Sequence, residues 1–358
     1  MTSVDLERRR LLTTVGASAV GLAGLTAGLI AANSAESSNG HGALRALDGR
    51  RVWLGSDPLG AETLAGKVVL VNFWTYSCIN SLRPLPYLRA WAGKYADRKL
   101  VVIGVHTPEF AFEHDIAKVA RAIQTQQVNF PVVLDNDYEI WNAFANNAWP
   151  GFYLVDARGR MRQRVLGEGQ YDRLERFIQQ LLVETGARAD DAIAEVRGEG
   201  VQAAPDWNTL RSPETYVGYG QAANFASRGG LREGAPARYE HARALRLNQW
   251  SLSGAWTSGE EYATADAAGA AIRFRCHARD LHMVLGRTPQ SPPIPFRVTI
   301  DGAAPGEDRG VDTDADGRGV LDEDRMYQLV RQARPVDDRI VQVEFSAGGA
   351  RAYVFTFG

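Results

Sequence analysis

Val68-Val-Leu-Val-Asn-Phe-Trp74-Thr-Tyr-Ser-Cys78-Ile-Asn-Ser81 decides how this chain is read. Residues 68–73 form an apolar run broken only by Asn72, as in a strand covered on both faces. An aromatic pair and a short polar turn follow. Beyond them the apolar spacing changes to that of a helix, expected over Cys78–Tyr95 and kinked by Pro84 and Pro86. Cys78 therefore stands where a strand hands over to a helix N-terminus. Unpaired backbone N–H groups and the helix dipole favour an anion there. A cysteine ionises near pH 8.5, and each pH unit of lowering needs about 1.4 kcal/mol. A lowering of about one and a half units would leave Cys78 half ionised at neutral pH. Three residues on, the chain carries Ser81, not a second cysteine. A hydroxyl can donate to a thiolate but can neither form nor resolve a disulfide.

The alternation continues on the C-terminal side. Leu100–Val105, Phe130–Leu134, Gly151–Val155 and Met161–Leu166 read as strands, the last two joined by the turn Asp156-Ala-Arg-Gly159. Ala111–Gln127, Tyr138–Ala145 and Tyr171–Glu184 read as helices, with Ile116, Val119, Ala120 and Ile123 sharing one apolar face of the first. This predicts an α/β domain with a central mixed sheet over residues 43–186. Residues 187–212, rich in Ala, Gly, Asp and Glu, read as a linker with a short helix at Asp190–Arg197. From residue 213 onward short strands alternate with turns, among them Ala271–Cys276, Leu281–Leu285, Phe296–Ile300, Arg339–Phe345 and Ala352–Phe357. Strands without intervening helices indicate an all-β sandwich or jelly roll over 213–358.

Composition narrows the functional classes. The 358 residues are 45% hydrophobic, enough for two cores, and 40 basic against 42 acidic residues give a net charge of −2. No basic excess points to nucleic acid. Two cysteines, Cys78 and Cys276, are too few for a disulfide framework. Arg8-Arg9-Arg10-Leu11-Leu12 opens an uncharged small-apolar run, Val15–Ala32, as in a twin-arginine export signal, so residues 1–42 are read as signal or membrane anchor plus spacer. The protein is expected in the periplasm or cell envelope, either released or anchored by residues 15–32.

Residues from about Leu44 to Leu182 resemble the TlpA-like branch of the thioredoxin superfamily. Those from about Pro213 to Gly358 resemble the carbohydrate-binding-like module that follows such a domain in the extracytoplasmic part of DipZ proteins. The resemblance rests on Phe73-Trp-Thr-Tyr-Ser-Cys-Ile-Asn80, Gly104-Val-His-Thr-Pro-Glu-Phe110, Glu214-Thr-Tyr-Val-Gly-Tyr219, Leu247-Asn-Gln-Trp250, Ala278-Arg-Asp280 and Tyr327-Gln-Leu-Val-Arg331. Two departures stand out: DipZ proteins carry a multi-span membrane part where this sequence offers at most one span, and Ser81 stands where the family motif has its second cysteine. The resemblance implies thiol–disulfide exchange with exported proteins, fed by an external thiol or a membrane electron donor. Cys78 would be the nucleophile and Ser81 a hydrogen-bond donor. Trp149 with Pro150, the family's cis-proline position, and Trp74 would bind substrate; Asn72 stands where many thioredoxins place a buried carboxylate. No cofactor and no metal is implied.

Two rival functions accompany this reading. Thr75-x-x-Cys78 matches part of a single-cysteine peroxidase motif, although Val71 fills its proline position. Alternatively the redox domain is vestigial and the β-module docks on glycan or envelope protein, with Trp207, Tyr216, Tyr219, Trp250 and Trp256 as aromatic platform or as core. Asp312, Asp314, Asp316 and Glu323 have calcium-loop spacing, against which a solvated Asp/Gly turn is weighed. Glu109 is a surface carboxylate, and Cys276, Asp280 and His282 are read as strand packing.

Overall fold

The computed structural model describes residues 40–188, 192–333 and 335–358. The arginine-led segment and its apolar run lie outside them. Among the described residues no helix is long and apolar enough to cross a membrane. The chain divides into two compact units, one ending at Ala203 and one from Ala204 to Gly358.

The first unit is built on strands β1 (Trp53–Leu54), β2 (Val68–Trp74), β3 (Leu100–His106), β4 (Val132–Leu134), β5 (Gly151–Val155) and β6 (Met161–Leu166). They lie in the order β1-β4-β3-β2-β5-β6. β2, β3 and β4 run parallel; β1, β5 and β6 are antiparallel to their neighbours. β2 sits in the centre, which explains its largely apolar sequence: all seven residues are buried. Alternation assigns the two faces. Val69, Val71 and Phe73 join Ile103, Val105, Val133, Tyr153 and Val155 in one core layer. Asn72 and Trp74, with Gly104 and His106 beside them in register, therefore project from the opposite face. Gly104 is required there, since a Cβ would fall 2.9 Å from the Trp74 indole nitrogen and 3.1 Å from the Phe130 ring.

The helices are α1 (Gly40–Leu44), α2 (Ala61–Leu64), α3 (Ile79–Leu82), α4 (Leu85–Lys94), α5 (Ile116–Thr125), α6 (Glu139–Ala143) and α7 (Tyr171–Glu184). The helix expected over Cys78–Tyr95 is thus two pieces. Arg83 and Pro84 keep right-handed dihedrals (φ −62°, ψ −33°; φ −70°, ψ −21°), so the path stays helical. Pro84 and Pro86 lack the N–H that would close the ladder. The helix expected from Ala111 begins later: Ala111–His114 is a 3-10 turn, and Asp115 caps α5 by accepting the amides of Ala117 (2.8 Å) and Lys118 (3.3 Å). Ile116, assigned to the apolar face, is 46% exposed, because that residue opens the helix.

The segment read as a linker is more ordered than its composition suggests. Residues 192–199 carry no helix, correcting the one expected at Asp190–Arg197. Instead they lie along the first unit. Glu175 accepts from the Ala194 amide (3.0 Å), Gln179 donates to the Ala192 carbonyl (2.8 Å), and Gln202 bonds Arg89 (3.0 Å) and Gln126 (2.8 Å).

The second unit is all β: β7 (Thr215–Tyr216), β8 (Pro236–Tyr239), β9 (Trp250–Ser258), β10 (Ala263–Ala265), β11 (Ala271–Cys276), β12 (Asp280–Arg287), β13 (Ile294–Ile300), β14 (Arg318–Leu321), β15 (Arg325–Arg331), β16 (Arg339–Phe345) and β17 (Ala350–Phe357). The strand path is β14-β13-β16-β11-β9-β10-β17-β12-β15, with β7 on β17 and β8 on β9. Long β9 belongs to both halves, pairing with β11 through its start and with β10 through its end. The sheet thereby folds over one core in which Phe274 of β11 meets Phe355 and Phe357 of β17, ring centroids 4.9 and 5.1 Å apart. Trp250 and Trp256 lie wholly inside it, which removes both from the aromatic platform. Trp207 is 60% exposed, and Tyr216 and Tyr219 are half-buried. The carboxylates of the calcium-like spacing hold arginines: Asp312 pairs with Arg325 at 2.9 Å, Asp316 with Arg318, and Glu323 with Arg325 at 3.7 Å.

Candidate active site

β2 ends at Trp74, and the turn Thr75-Tyr-Ser77 delivers Cys78 to the start of α3. Cys78 is the N-cap residue, in extended conformation (φ −86°, ψ 117°), while the amides of Ser81 and Leu82 already bond its carbonyl at 3.0 and 3.2 Å. Those two bonds close the first turn of α3, and the Cys78 side chain makes no capping hydrogen bond to it. The residue is buried, 6% exposed, within a packed site. Ser81 lies one turn further in and is fully buried. Its Oγ accepts the Thr75 amide at 3.5 Å, a long contact that fastens α3 to the preceding turn. A hydroxyl that accepts still has its proton to donate.

Trp149 and Pro150 reach the same end of the sheet from another direction. Gly151 opens β5 opposite Phe73 of β2, so the two residues before it sit beside the exit of β2. The Trp149–Pro150 peptide bond is cis. Trp149 is half-buried, its indole donating to the Thr107 carbonyl (3.0 Å) and packed 4.3 Å from the Trp141 ring. Pro150 is buried, and its carbonyl accepts from Gly167 at 2.8 Å. Trp74 is wholly buried and packs edge-on against His106 (5.4 Å), so its side chain forms a wall behind the site and offers no surface to a substrate.

Sequence reasoning missed two neighbours. His106 is fully buried under the Tyr76 ring (5.6 Å, 17° between planes), and neither ring nitrogen has a hydrogen-bond partner. Burial holds it neutral, its pKa lowered to about 3. Glu113, also fully buried, ties two loops together. Its Oε1 accepts the hydroxyls of Thr75 (2.5 Å) and Ser77 (2.6 Å) and the Ser77 amide (3.3 Å). Its Oε2 accepts the amides of Glu109 (2.6 Å) and Phe110 (3.0 Å). Burial pushes the carboxyl above its ordinary value, and these donors pull it back only in part. Arg83, just past α3, is held in a buried ion pair with Glu168 at 2.7 Å, whose carboxyl burial also raises. Asn72 bonds weakly to the Gly151 carbonyl at 3.3 Å, and its own Oδ1 has no partner.

A central β2 flanked by β3 and antiparallel β5, a cysteine at the strand-to-helix turn and a cis-proline leading into β5 define one architecture. The first unit is thioredoxin-like. Residues 56–164 match the AhpC/TSA family, and residues 212–358 match the thioredoxin-like C-terminal domain. Protein DipZ of Mycobacterium tuberculosis is 38% identical over 249 residues, covering 68% of this chain and 35% of its own length. The chain thus spans about a third of the length of this curated relative. The thiol-disulfide oxidoreductase YkuV of Bacillus subtilis is 27% identical over 139 residues, 39% of this chain and 93% of its own. A solved thioredoxin-like protein in the oxidized form, 28% identical, covers 39% of this chain and 95% of its own, with a TM-score of 0.36. In this unit Ser81 lies within α3, three residues after Cys78.

Proposed function

We propose that the protein is a thiol–disulfide oxidoreductase that works through mixed disulfides at the single sulfur of Cys78. The observation that carries this reading is Cys78 at the N-cap of α3 just past the end of β2, with the cis Trp149–Pro150 leading into β5 at the same end of the sheet and a hydroxyl at position 81. The Cys78 thiol loses its proton and the thiolate attacks one sulfur of a substrate disulfide. A Cys78–substrate S–S bond forms as the substrate's own S–S bond breaks, and the departing thiolate takes up a proton. The half-buried indole of Trp149 and the backbone beside Pro150 hold an extended substrate segment. Ser81 donates to the Cys78 sulfur but cannot displace the bound substrate. Release therefore awaits an external thiol, which attacks the adduct and restores Cys78.

The arginine-led N-terminal sequence supports substrates among exported proteins, outside the cytoplasm. The match to YkuV, a named thiol-disulfide oxidoreductase, supports the reaction class. Recovery of disulfide-linked adducts from cells, under non-reducing conditions, tests this reading. Exported proteins should be joined to the natural chain and absent from Cys78→Ala. No adduct in either would refute it, as would peroxide consumption that builds sulfenic acid on Cys78 without any mixed disulfide.

A further inference from the structure

Exchange chemistry needs somewhere to put the thiol proton, and the residue aligned with the usual buried carboxylate is the amide Asn72. A carboxylate does reach the cysteine turn, but from a different element, the 3-10 turn after β3. Resting on thiol exchange at Cys78, we propose that Glu113 is the proton partner of that cysteine: the proton leaving the thiol is held on the Glu113 carboxyl and is returned to the departing sulfur.

The two carboxyl oxygens are not equivalent. Oε2 faces the backbone amides of Glu109 and Phe110, which can only donate, so it stays an acceptor. Oε1 faces the hydroxyls of Thr75 and Ser77, and a hydroxyl can rotate from donor to acceptor. A proton can thus enter at Oε1 and be donated to one of these hydroxyls, while the same oxygen goes on accepting from the other and from the Ser77 amide at 3.3 Å, on the side turned toward the cysteine loop. Ser77 immediately precedes Cys78. With its amide 3.3 Å from Oε1 and about 3.6 Å between successive backbone nitrogens, the carboxylate lies within about 7 Å of the Cys78 amide. At such range two negative charges oppose each other, so a buried carboxylate and a thiolate share their protons.

The surroundings leave this pair dominant. Glu109, half-buried, contributes its amide. His106 of β3 is kept neutral by burial. Exposed His114 bonds its own turn through the Ala111 carbonyl at 3.1 Å, Asp115 caps α5, and the Lys118 ammonium lies over the Phe112 ring at 5.6 Å.

The chemistry balances as proton transfer around the exchange step. S–H breaks and O–H forms on Glu113; the new S–S bond forms as the substrate S–S breaks; O–H then breaks as the leaving sulfur is protonated. The buried carboxylate accepts five donors, which would also suit a purely structural staple, so the test must read linkage. Following the Glu113 carboxyl by 13C NMR across pH in the natural protein and in Cys78→Ser separates the two. Linkage predicts that the Glu113 midpoint moves by about one pH unit when the thiol is gone, and that Glu113→Gln lowers the Cys78 alkylation midpoint by a similar amount. An unchanged Glu113 titration in Cys78→Ser, which leaves every Glu113 contact in place, overturns the proposal even if Glu113→Gln fails to fold. Linkage without any mixed disulfide would refute the exchange reading alone; mixed disulfides without linkage would refute the role of Glu113 alone.

Discussion

On the proposed mixed-disulfide reading, replacing Ser81 by cysteine should convert a site that holds its adduct into one that clears it. Position 81 lies one helical turn beyond Cys78, with the Ser81 amide 3.0 Å from the Cys78 carbonyl. In helical geometry the two Cα atoms are then about 5 Å apart, inside the range a disulfide can bridge. The structural cost is small: the bond given up is the 3.5 Å contact from the Thr75 amide, worth at most about 1 kcal/mol, and the larger sulfur adds about 1 kcal/mol of crowding in a buried position. The kinetic gain is large. A neighbouring thiol behaves as if present at about 1 M or more, whereas glutathione at about 1 mM must diffuse in. Release should therefore quicken at least about 10³-fold, or about 4 kcal/mol of barrier. The assay loads Cys78 with glutathione, removes the excess, and follows the intact mass with time. In the natural chain the adduct should persist until about 1 mM thiol is added; in Ser81→Cys it should vanish unaided, leaving an internal disulfide. A change under tenfold would show that positions 78 and 81 do not cooperate, and Ser81 would then not be what stalls the adduct.

The same logic marks the other cysteine as silent. Cys276 is buried in the second core and burial pushes its thiol up to about 12, so native protein should take one equivalent of iodoacetamide and unfolded protein two. His106→Phe should leave the thermal midpoint unchanged or raise it, because two unpartnered buried nitrogens are removed at nearly constant shape; a clear fall would reveal a hidden partner. Glu175 accepts from the Trp91 indole (2.8 Å), the Lys94 ammonium (2.9 Å), the Tyr95 hydroxyl (2.7 Å) and the Ala194 amide (3.0 Å). Glu175→Ala should cost about 3 kcal/mol and lower the first unit's melting midpoint by about 5–15 °C in calorimetry. Burial alone would raise the Glu175 carboxyl, but these donors overcome it and hold it below its ordinary value. The stabilisation is thus fully present above about pH 4.3 and is lost as the pH falls through the lower folded value; Glu175→Gln should flatten that acid limb.

How much of this was legible in the chain follows from what each signal encodes. Strands β2 and β3 and the hairpin of β5 and β6 were readable because burial on both faces, or a glycine turn, writes itself into local composition. β1 was not: two residues, Trp53 and Leu54, carry no period. Asp115 was the signal that could have located Glu113. An aspartate is a strong helix cap, and starting α5 there leaves Glu113 ahead of the helix in a turn. Read instead as one helix from Ala111, the stretch gave no reason to single out Glu113. Trp74 misled in the opposite way, since its place beside Cys78 suggested contact with substrate, whereas strand alternation turns it inward against His106. The unpartnered nitrogens of His106 have no sequence signature, because they depend on which rings happen to close over it.

The run from Ala192 to Gln202, ending in a 3-10 turn at Gly200–Gln202, acts as a belt on the thioredoxin-like unit, and this decides where the chain can be cut. Truncation at Gly186, where composition changes, would take away the carbonyl of Ala192 that receives both Lys94 and Gln179. It would also take the Ala194 amide from Glu175 and the Gln202 side chain from Arg89. A fragment ending beyond Ala203 keeps the buckle fastened, and only there does the redox half have a self-sufficient C-terminus.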